Sequence, residues 1–185
     1  NKSIYVFRHG VLAQGLRRVA PDNTKGEYYL TAVVGVLSDA GYAITSVAAA
    51  DSMEAAGVND RFQLAIAEAE LRDRTNERWM RRGVTMLDPE HTYVDASVQL
   101  GTDVTLFPGT ILQGRTIVGD HAEIGPNTRL IDCTVGEGAV VQNSVCRNAE
   151  VGDHAVVGPF ASLEPGSHVS GGVTTGPFFV DNQID

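Results

Sequence analysis

The stretch VGDHAEIGPNT, Val118 to Thr128, is answered by VGDHAVVGPFA, Val151 to Ala161, thirty-three residues further on. A repeated VGDHA either duplicates a site built on His121 and His154 or marks a structural repeat, and the flanking residues decide between the two. Aliphatic residues recur every six positions at Val94, Leu100, Leu106, Leu112, Val118, Ile124 and Leu130. A step of five reaches Val135, six reaches Val141 and four reaches Val145, after which the spacing resumes at Val151, Val157, Leu163 and Val169. Leaving Val145 aside as the residue that closes the short step, each member of this series is followed four positions later by a small or β-branched residue. That second column runs from Val98 and Val104 through Thr134 and Val145 to Ser167 and Val173.

Neither a helix nor a hairpin strand generates a column of this kind. It predicts a parallel β-helix, in which three six-residue strands make a triangular coil and the coils stack at about 4.8 Å. The aliphatic residue points into the narrow interior and the small one fits near a corner. Val94 to Val173 makes between four and five coils. The last coil leaves an open strand edge, a pairing liability unless further chain, another subunit or a cap covers it. In this frame the Gly of VGDHA suits a corner that needs φ > 0, and Asp can bond its own backbone there. His121 and His154 then read as exposed corner residues on one face, two coils or roughly 10 Å apart, rather than as ligands or bases.

The residues before Pro89 have a different pattern. Ile4 to Phe7 is a short run of β-formers, Leu12 to Val19 a short amphipathic helix, and Glu27 to Ala40 a longer helix closed by Gly41. Ala43 to Ala50 reads as a buried strand, so the segment resembles the edge of a mixed α/β sheet. RFQLAIAEAELRDRTNERWMRRG, from Arg61, reads as a long helix, with Asp60 to cap it and Arg81, Arg82 and Gly83 to end it. Phe62, Ile66 and Ala69 share one face, and at about 33 Å the helix suits an arm between domains.

Composition narrows the function classes. The net charge is −9, and the 14 basic residues divide unevenly: 11 before His91 and only Arg115, Arg129 and Arg147 after it, against 11 acidic residues there. Such a chain lacks the basic footprint of a nucleic-acid binder. No run is long and apolar enough to span a membrane, and no signal peptide is evident. Cys133 and Cys146 lack zinc-site spacing and suit reduced thiols in the cytoplasm. The chain contains no glycine-rich phosphate loop, nucleophile elbow or paired helical His. Glu27, Asp51 and Asp60 read as caps and surface charges. The start at Asn1, without methionine, suits a piece of something longer.

The order of motifs carries more. NTKGEYYLTAVVGVL (Asn23 to Leu37), AAGVNDRFQLAIAEAEL (Ala55 to Leu71), GVTMLDPEHTYVD (Gly83 to Asp95) and VGPFASLEPGSHV (Val157 to Val169) closely resemble a bacterial family. It is that of the bifunctional N-acetylglucosamine-1-phosphate uridyltransferases and glucosamine-1-phosphate acetyltransferases of cell-wall synthesis. The resemblance implies the C-terminal part of a Rossmann-like nucleotidyltransferase domain at 1–58, a linker helix and connector at 59–92, a left-handed parallel β-helix of hexapeptide repeats at 93–176 and a tail at 177–185. It implies a parent that makes UDP-N-acetylglucosamine from UTP and N-acetylglucosamine 1-phosphate with Mg²⁺, and a homotrimer formed through the β-helix. Asn1 corresponds to a sugar-binding asparagine, and Asn59 to one that binds nucleotide sugar and Mg²⁺; an amide oxygen is a suitable hard ligand.

The departures bear on activity. Asn1 is followed by Lys2 and Ser3 where the family has NTG, and LTA places Ala32 where the family has an aspartate. LEPG puts Glu164 at the arginine of the family's LRPG, which grips the sugar phosphate, and VDNQ puts Asn182 at or near an expected lysine. A carboxylate there inverts the field on a phosphate. The resemblance therefore implies an acetyltransferase half that is incomplete or inactive, using acetyl-CoA only if a longer parent restores it. It places no catalytic residue in this chain. Two other readings stand beside it: a non-catalytic β-helix trimerisation module, and a related sugar-phosphate nucleotidyltransferase.

Overall fold

The computed structural model describes residues 4–21, 24 and 26–181. The chain forms two compact units, Asn1–Gln63 and Leu64–Asp185, considered separately.

In the first unit, helix α1 (His9–Leu16) packs on helix α2 (Leu30–Asp39). They approach closely because Gly15 has no side chain: a Cβ there would lie 2.8 Å from Val33 Cγ1. Val33 and Leu37 are the buried residues of α2. Gly41 ends it as expected, at φ 82°, and the next amide, Tyr42 N, donates to Leu37 O at 3.1 Å. The two expected strands are absent. Residues 4–7 and 43–49 carry no regular structure, and Ile4, Val6 and Val47 are 81%, 95% and 92% exposed. β-formers need a neighbouring ladder for their amides and an apolar face for their side chains. Among the described residues of this unit there is no strand to offer either.

Helix α3 spans Arg61–Met80. Asp60 Oδ1 caps it by accepting from Gln63 N at 2.7 Å, and Gly83 follows at φ 96°. The apolar face near its start is open: Phe62 is 74% and Ile66 45% exposed. Burial falls instead on Thr75, Asn76 and Trp79 near the C-terminal end. These residues meet the start of the repeat. Asn76 Nδ2 donates to Pro89 O and to Thr92 O, both at 2.9 Å, and Trp79 joins Val84 and Met86 in the core.

From Thr85 the chain winds into a parallel β-solenoid of about five turns with three sheets. The first sheet takes Thr85–Met86, Thr105–Leu106, Glu123–Ile124, Val140–Val141 and Val156–Val157. The second takes Tyr93–Val94, Ile111–Gln113, Arg129–Ile131, Val145–Arg147, Ser162–Leu163 and Val180–Asp181. The third takes Gln99–Leu100, Ile117–Val118, Thr134–Val135, Glu150–Val151 and His168–Val169. Each turn therefore visits every sheet once, as the six-residue spacing requires.

The interior corrects the frame in one place. Cys146, not Val145, continues the inward column, paired between Leu130 and Leu163 and 0% exposed. The steps from Leu130 are thus five, six, five and five, and Val145 faces outward beside Arg129 and Ser162. The small-residue column changes with it. Cys133, Ser144 and Ala149 are buried, whereas Thr134 and Val173 are exposed. What is constant is not four residues after one aliphatic but two before the next, as in Val98 and Leu100 or Ala149 and Val151. Positions i and i+2 of a strand share a face, so a shortened edge loses its residue upstream of that pair. The buried hydroxyls are satisfied locally: Thr110 and Thr116 donate to Phe107 O and Gln113 O, each at 2.7 Å.

The repeated VGDHA is a corner, built differently from the expectation. The positive φ falls on the histidines, His121 at 59° and His154 at 56°, not on the glycines before them. Gly119 and Gly152 are needed for close approach: a Cβ would lie 2.7 Å from Glu137 N in one case and 2.5 Å from Gly171 N in the other. The aspartates bond the previous coil rather than their own backbone. Asp120 Oδ1 accepts from Thr102 N at 2.7 Å and Asp153 Oδ1 from Glu137 N at 2.9 Å. The Thr102 amide holds the Asp120 carboxyl below the ordinary carboxylate value. No helix among the described residues is long and apolar enough to cross a membrane.

Candidate functional site

The second sheet presents the strongest concentration of charge chemistry. Inward Val94, Leu112, Leu130, Cys146 and Leu163 hold its strands, so the residues on either side of each point outward. The row that follows the core column runs through Gln113, Ile131, Arg147 and Glu164, in register from strand to strand. Glu164, at the expected phosphate-gripping position, lies 3.6 Å from Arg147 (Oε1 to Nη1), the two side chains being 41% and 45% exposed. Ser162 Oγ donates to the same Oε1 at 3.1 Å. The row that precedes the core column carries Arg129, whose Nε donates to Gln113 Oε1 at 2.9 Å. The reading that put Val145 inside hid this arrangement, because it turned Arg147 away from the outward face.

Asn1 and Asn182 lie outside the described residues. Asn59 is exposed at the start of α3, where its backbone N and its Nδ2 donate to Gln63 Oε1 at 2.8 and 3.1 Å. Gln63 in turn gives its amide to Asp60, so Asn59 belongs to a reciprocal helix cap. Mg²⁺ prefers six oxygen ligands, several of them carboxylate or water. Asn59 would supply one amide oxygen of such a sphere, since its Nδ2 is the atom turned to Gln63, and the other ligands would come from elsewhere. Among the described residues no group of three His, Cys, Asp or Glu side chains converges. Ala32 lies within α2 and is exposed.

The histidines offer little chemistry. The His121 side chain is 58% exposed and sits 3.8 Å from Asp103, and His154 lies over Gly138 at the matching corner. A groove of about 370 Å³ along the corner between the second and third sheets is lined by Asp132, Thr134, Asn148, Glu150, Ser167 and His168. Within it His168 Nδ1 faces Glu150 Oε2 at 3.3 Å. Both cysteines are free and buried, and burial pushes the Cys146 thiol up to about 12, so it stays protonated and inert at neutral pH.

No protein-family model matches the chain. It is 45% identical over 178 residues to the bifunctional protein GlmU of Streptomyces avermitilis, covering 96% of this chain and 37% of that protein. It is 44% identical over 167 residues to the bifunctional protein GlmU of Caldanaerobacter subterraneus subsp. tengcongensis, covering 90% of this chain and 36% of that protein. The chain thus spans a little over a third of the length of these curated relatives. Among solved structures it shares its fold with PerB from Caulobacter crescentus, a structure in complex with CoA and GDP-perosamine. That likeness has a TM-score of 0.51 and 22% identity over 62% of this chain and 58% of the other. Identity at this level along nearly the whole chain, on a three-sheet parallel solenoid, makes this segment a member of the family of the bifunctional protein GlmU.

Proposed function

We propose that the chain is the middle portion of a GlmU-type transferase: the end of a nucleotidyltransferase domain at 1–58, a connector at 59–92, the coils of a left-handed acetyltransferase-type β-helix at 93–176 and a tail at 177–185. The identity of 45% over 178 residues carries this reading. The whole enzyme would join UTP to N-acetylglucosamine 1-phosphate with release of pyrophosphate, Asn59 contributing an amide oxygen to Mg²⁺ beside ligands from outside this segment. Its β-helix half would be the scaffold for moving an acetyl group from the thioester of acetyl-CoA to a sugar amine, the CoA thiol leaving with a proton.

Glu164 argues that the acetyl-transfer half is incomplete. A carboxylate at the phosphate-gripping position repels the group it should hold, and Arg147 beside it offsets only part of that charge. A longer protein carrying this segment is expected to release pyrophosphate from UTP and N-acetylglucosamine 1-phosphate without releasing CoA thiol from acetyl-CoA and glucosamine 1-phosphate. CoA release above the no-enzyme rate sinks the second half of the reading; absence of UTP-dependent pyrophosphate sinks the first. The half-buried outward residues Ile111, Ile131 and Val145 of the second sheet favour assembly into a trimer through the solenoid. Sedimentation equilibrium should return three times the chain mass, and a monomer at all concentrations contradicts it.

A further inference from the structure

A cleft of about 290 Å³ lies between helix α3 and the first coil. Leu71, Arg72 and Thr75 line it from one face of the helix, and Tyr93, Asp95 and Ala96 from the strand and corner opposite. The Arg72 guanidinium carbon stands 5.0 Å from the centre of the Tyr93 ring, so the side chain lies across an aromatic face as it borders the cleft. Its Nε is buried and has no hydrogen-bond partner. An unpaired buried donor is costly, more so on a charged group, and buried polar groups in folded proteins are paired.

The carboxylates at the cleft do not serve Arg72. Asp95 Oδ2 accepts from Gly114 N at 2.9 Å, and Glu68, one turn before Arg72 on the helix, makes no ion pair with it among the described residues. A freely diffusing anion is a poor occupant, because Glu68 and Asp95 together outweigh the one guanidinium and repel it. A carboxylate carried on a folded surface is not limited in this way, since the rest of the contact holds it in place.

The position of the cleft says which surface that is. Tyr93 begins an outward row of the second sheet that continues in register through Ile111, Arg129 and Val145. Ile111 and Val145 belong to the face proposed above for subunit contact, and the cleft prolongs that face by one coil toward α3. From His91 to Asp185 there are 11 acidic residues against 3 basic, so a second copy meets Arg72 with a surface rich in acceptors. We propose that the cleft receives a carboxylate side chain from a second copy of this chain, and that Arg72 anchors the subunit interface by donating its Nε–H to that group. The proposal rests on the trimeric reading of the solenoid and adds to it a polar contact at the helix end. Parallel solenoids around a three-fold axis meet at equal height, so the carboxylate comes from the neighbour's first coil or its α3.

Sedimentation equilibrium of the whole chain over a range of concentration and salt tests it. Arg72→Met keeps the aliphatic stem and removes the donors; it should raise the concentration at which the trimer is half dissociated by at least about tenfold, because every subunit loses a charge-assisted contact. Arg81→Gln removes the same charge from an exposed arginine paired with Glu77 within the helix, and should leave the assembly unchanged. Added salt should weaken the parent more than Arg72→Met, a difference that a merely structural arginine does not produce. In the parent, the Arg72 Nε–H followed by nitrogen-15 NMR should exchange slowly with water in the trimer and quickly after dilution to monomer. A trimer indifferent to Arg72→Met, equal salt dependence of the two proteins, or the same Nε–H exchange in trimer and monomer overturns this proposal and leaves the trimeric reading standing. Slow exchange induced in the monomer by phosphate or acetate assigns the cleft to a free anion and overturns it as well. A parent that is monomeric at all concentrations overturns the trimeric reading and this contact together. Unchanged circular dichroism of Arg72→Met confines its effect to the interface, and if that variant does not fold, the exchange measurement on the parent decides alone.

Discussion

Gly119→Ala is expected to destabilise the solenoid by about 3 kcal/mol, the upper end of the usual cost of overpacking. The added Cβ would lie 2.7 Å from Glu137 N and 2.8 Å from Gly136 C, all backbone of the next coil. No side-chain rotation relieves such a clash, because the coils are held at strand spacing by ladder bonds such as Gly119 N to Val135 O at 2.8 Å. The coils must part at that corner, and the corner bond from Glu137 N to Asp153 Oδ1 is strained with them. Gly35→Ala in α2 is the internal control: nothing lies within 4 Å of its Cβ position, so helix propensity alone should stabilise α2 by up to about 1 kcal/mol. Urea unfolding followed by circular dichroism checks both, and equal midpoints for Gly119→Ala and the parent would remove close approach as the reason for the glycine.

Leu130→Ala should cost about 2–5 kcal/mol, because its side chain is 0% exposed between Leu112 and Cys146 and the coils above and below prevent collapse of the cavity. Val145→Ala, at a half-buried outward position, should cost no more than about 1 kcal/mol. The contrast discriminates between the two frames. If Val145 rather than Cys146 pointed inward, its truncation would leave a buried cavity and the two losses would approach each other.

The solenoid was legible because its inward residues are large, aliphatic and evenly spaced, and a triangular coil admits few alternatives. The error at Val145 shows where that legibility ended. Two five-residue edges fall close together around Cys146, and a cysteine reads as polar or reactive in sequence although it packs as a small hydrophobe. The glycine of VGDHA was recognised as a corner residue for the wrong reason. Its neighbour in space is eighteen residues away in Glu137, and nothing local in the sequence reports that approach. The aspartates follow the same rule, each serving an amide of the preceding coil.

The first unit was less legible. Ile4–Phe7 and Ala43–Ala50 have strand composition, but composition alone supplies no ladder, and here Ile4, Val6 and Ala43–Ala50 are exposed. In α3 the apolar residues near the start share one face, while the buried part lies near its end, where Asn76 and Trp79 meet the first coil. Glu164 was found from the motif it breaks. Its counterpart Arg147 was missed because it depends on the register, and only three basic residues follow His91, which was a usable signal.

The three-sheet register that places Cys146 inside and Arg147 beside Glu164 is tested most directly by methyl-selective nuclear Overhauser spectroscopy of the whole chain. The register predicts contacts stepping once per turn, Ile124 to Val141 to Val157, Leu112 to Leu130, and Val118 to Val135 to Val151, with Val145 methyls seeing Ser162 rather than Leu163. Contacts of Val145 with Leu130 and Leu163 across the interior, or absence of the once-per-turn contacts, would contradict it.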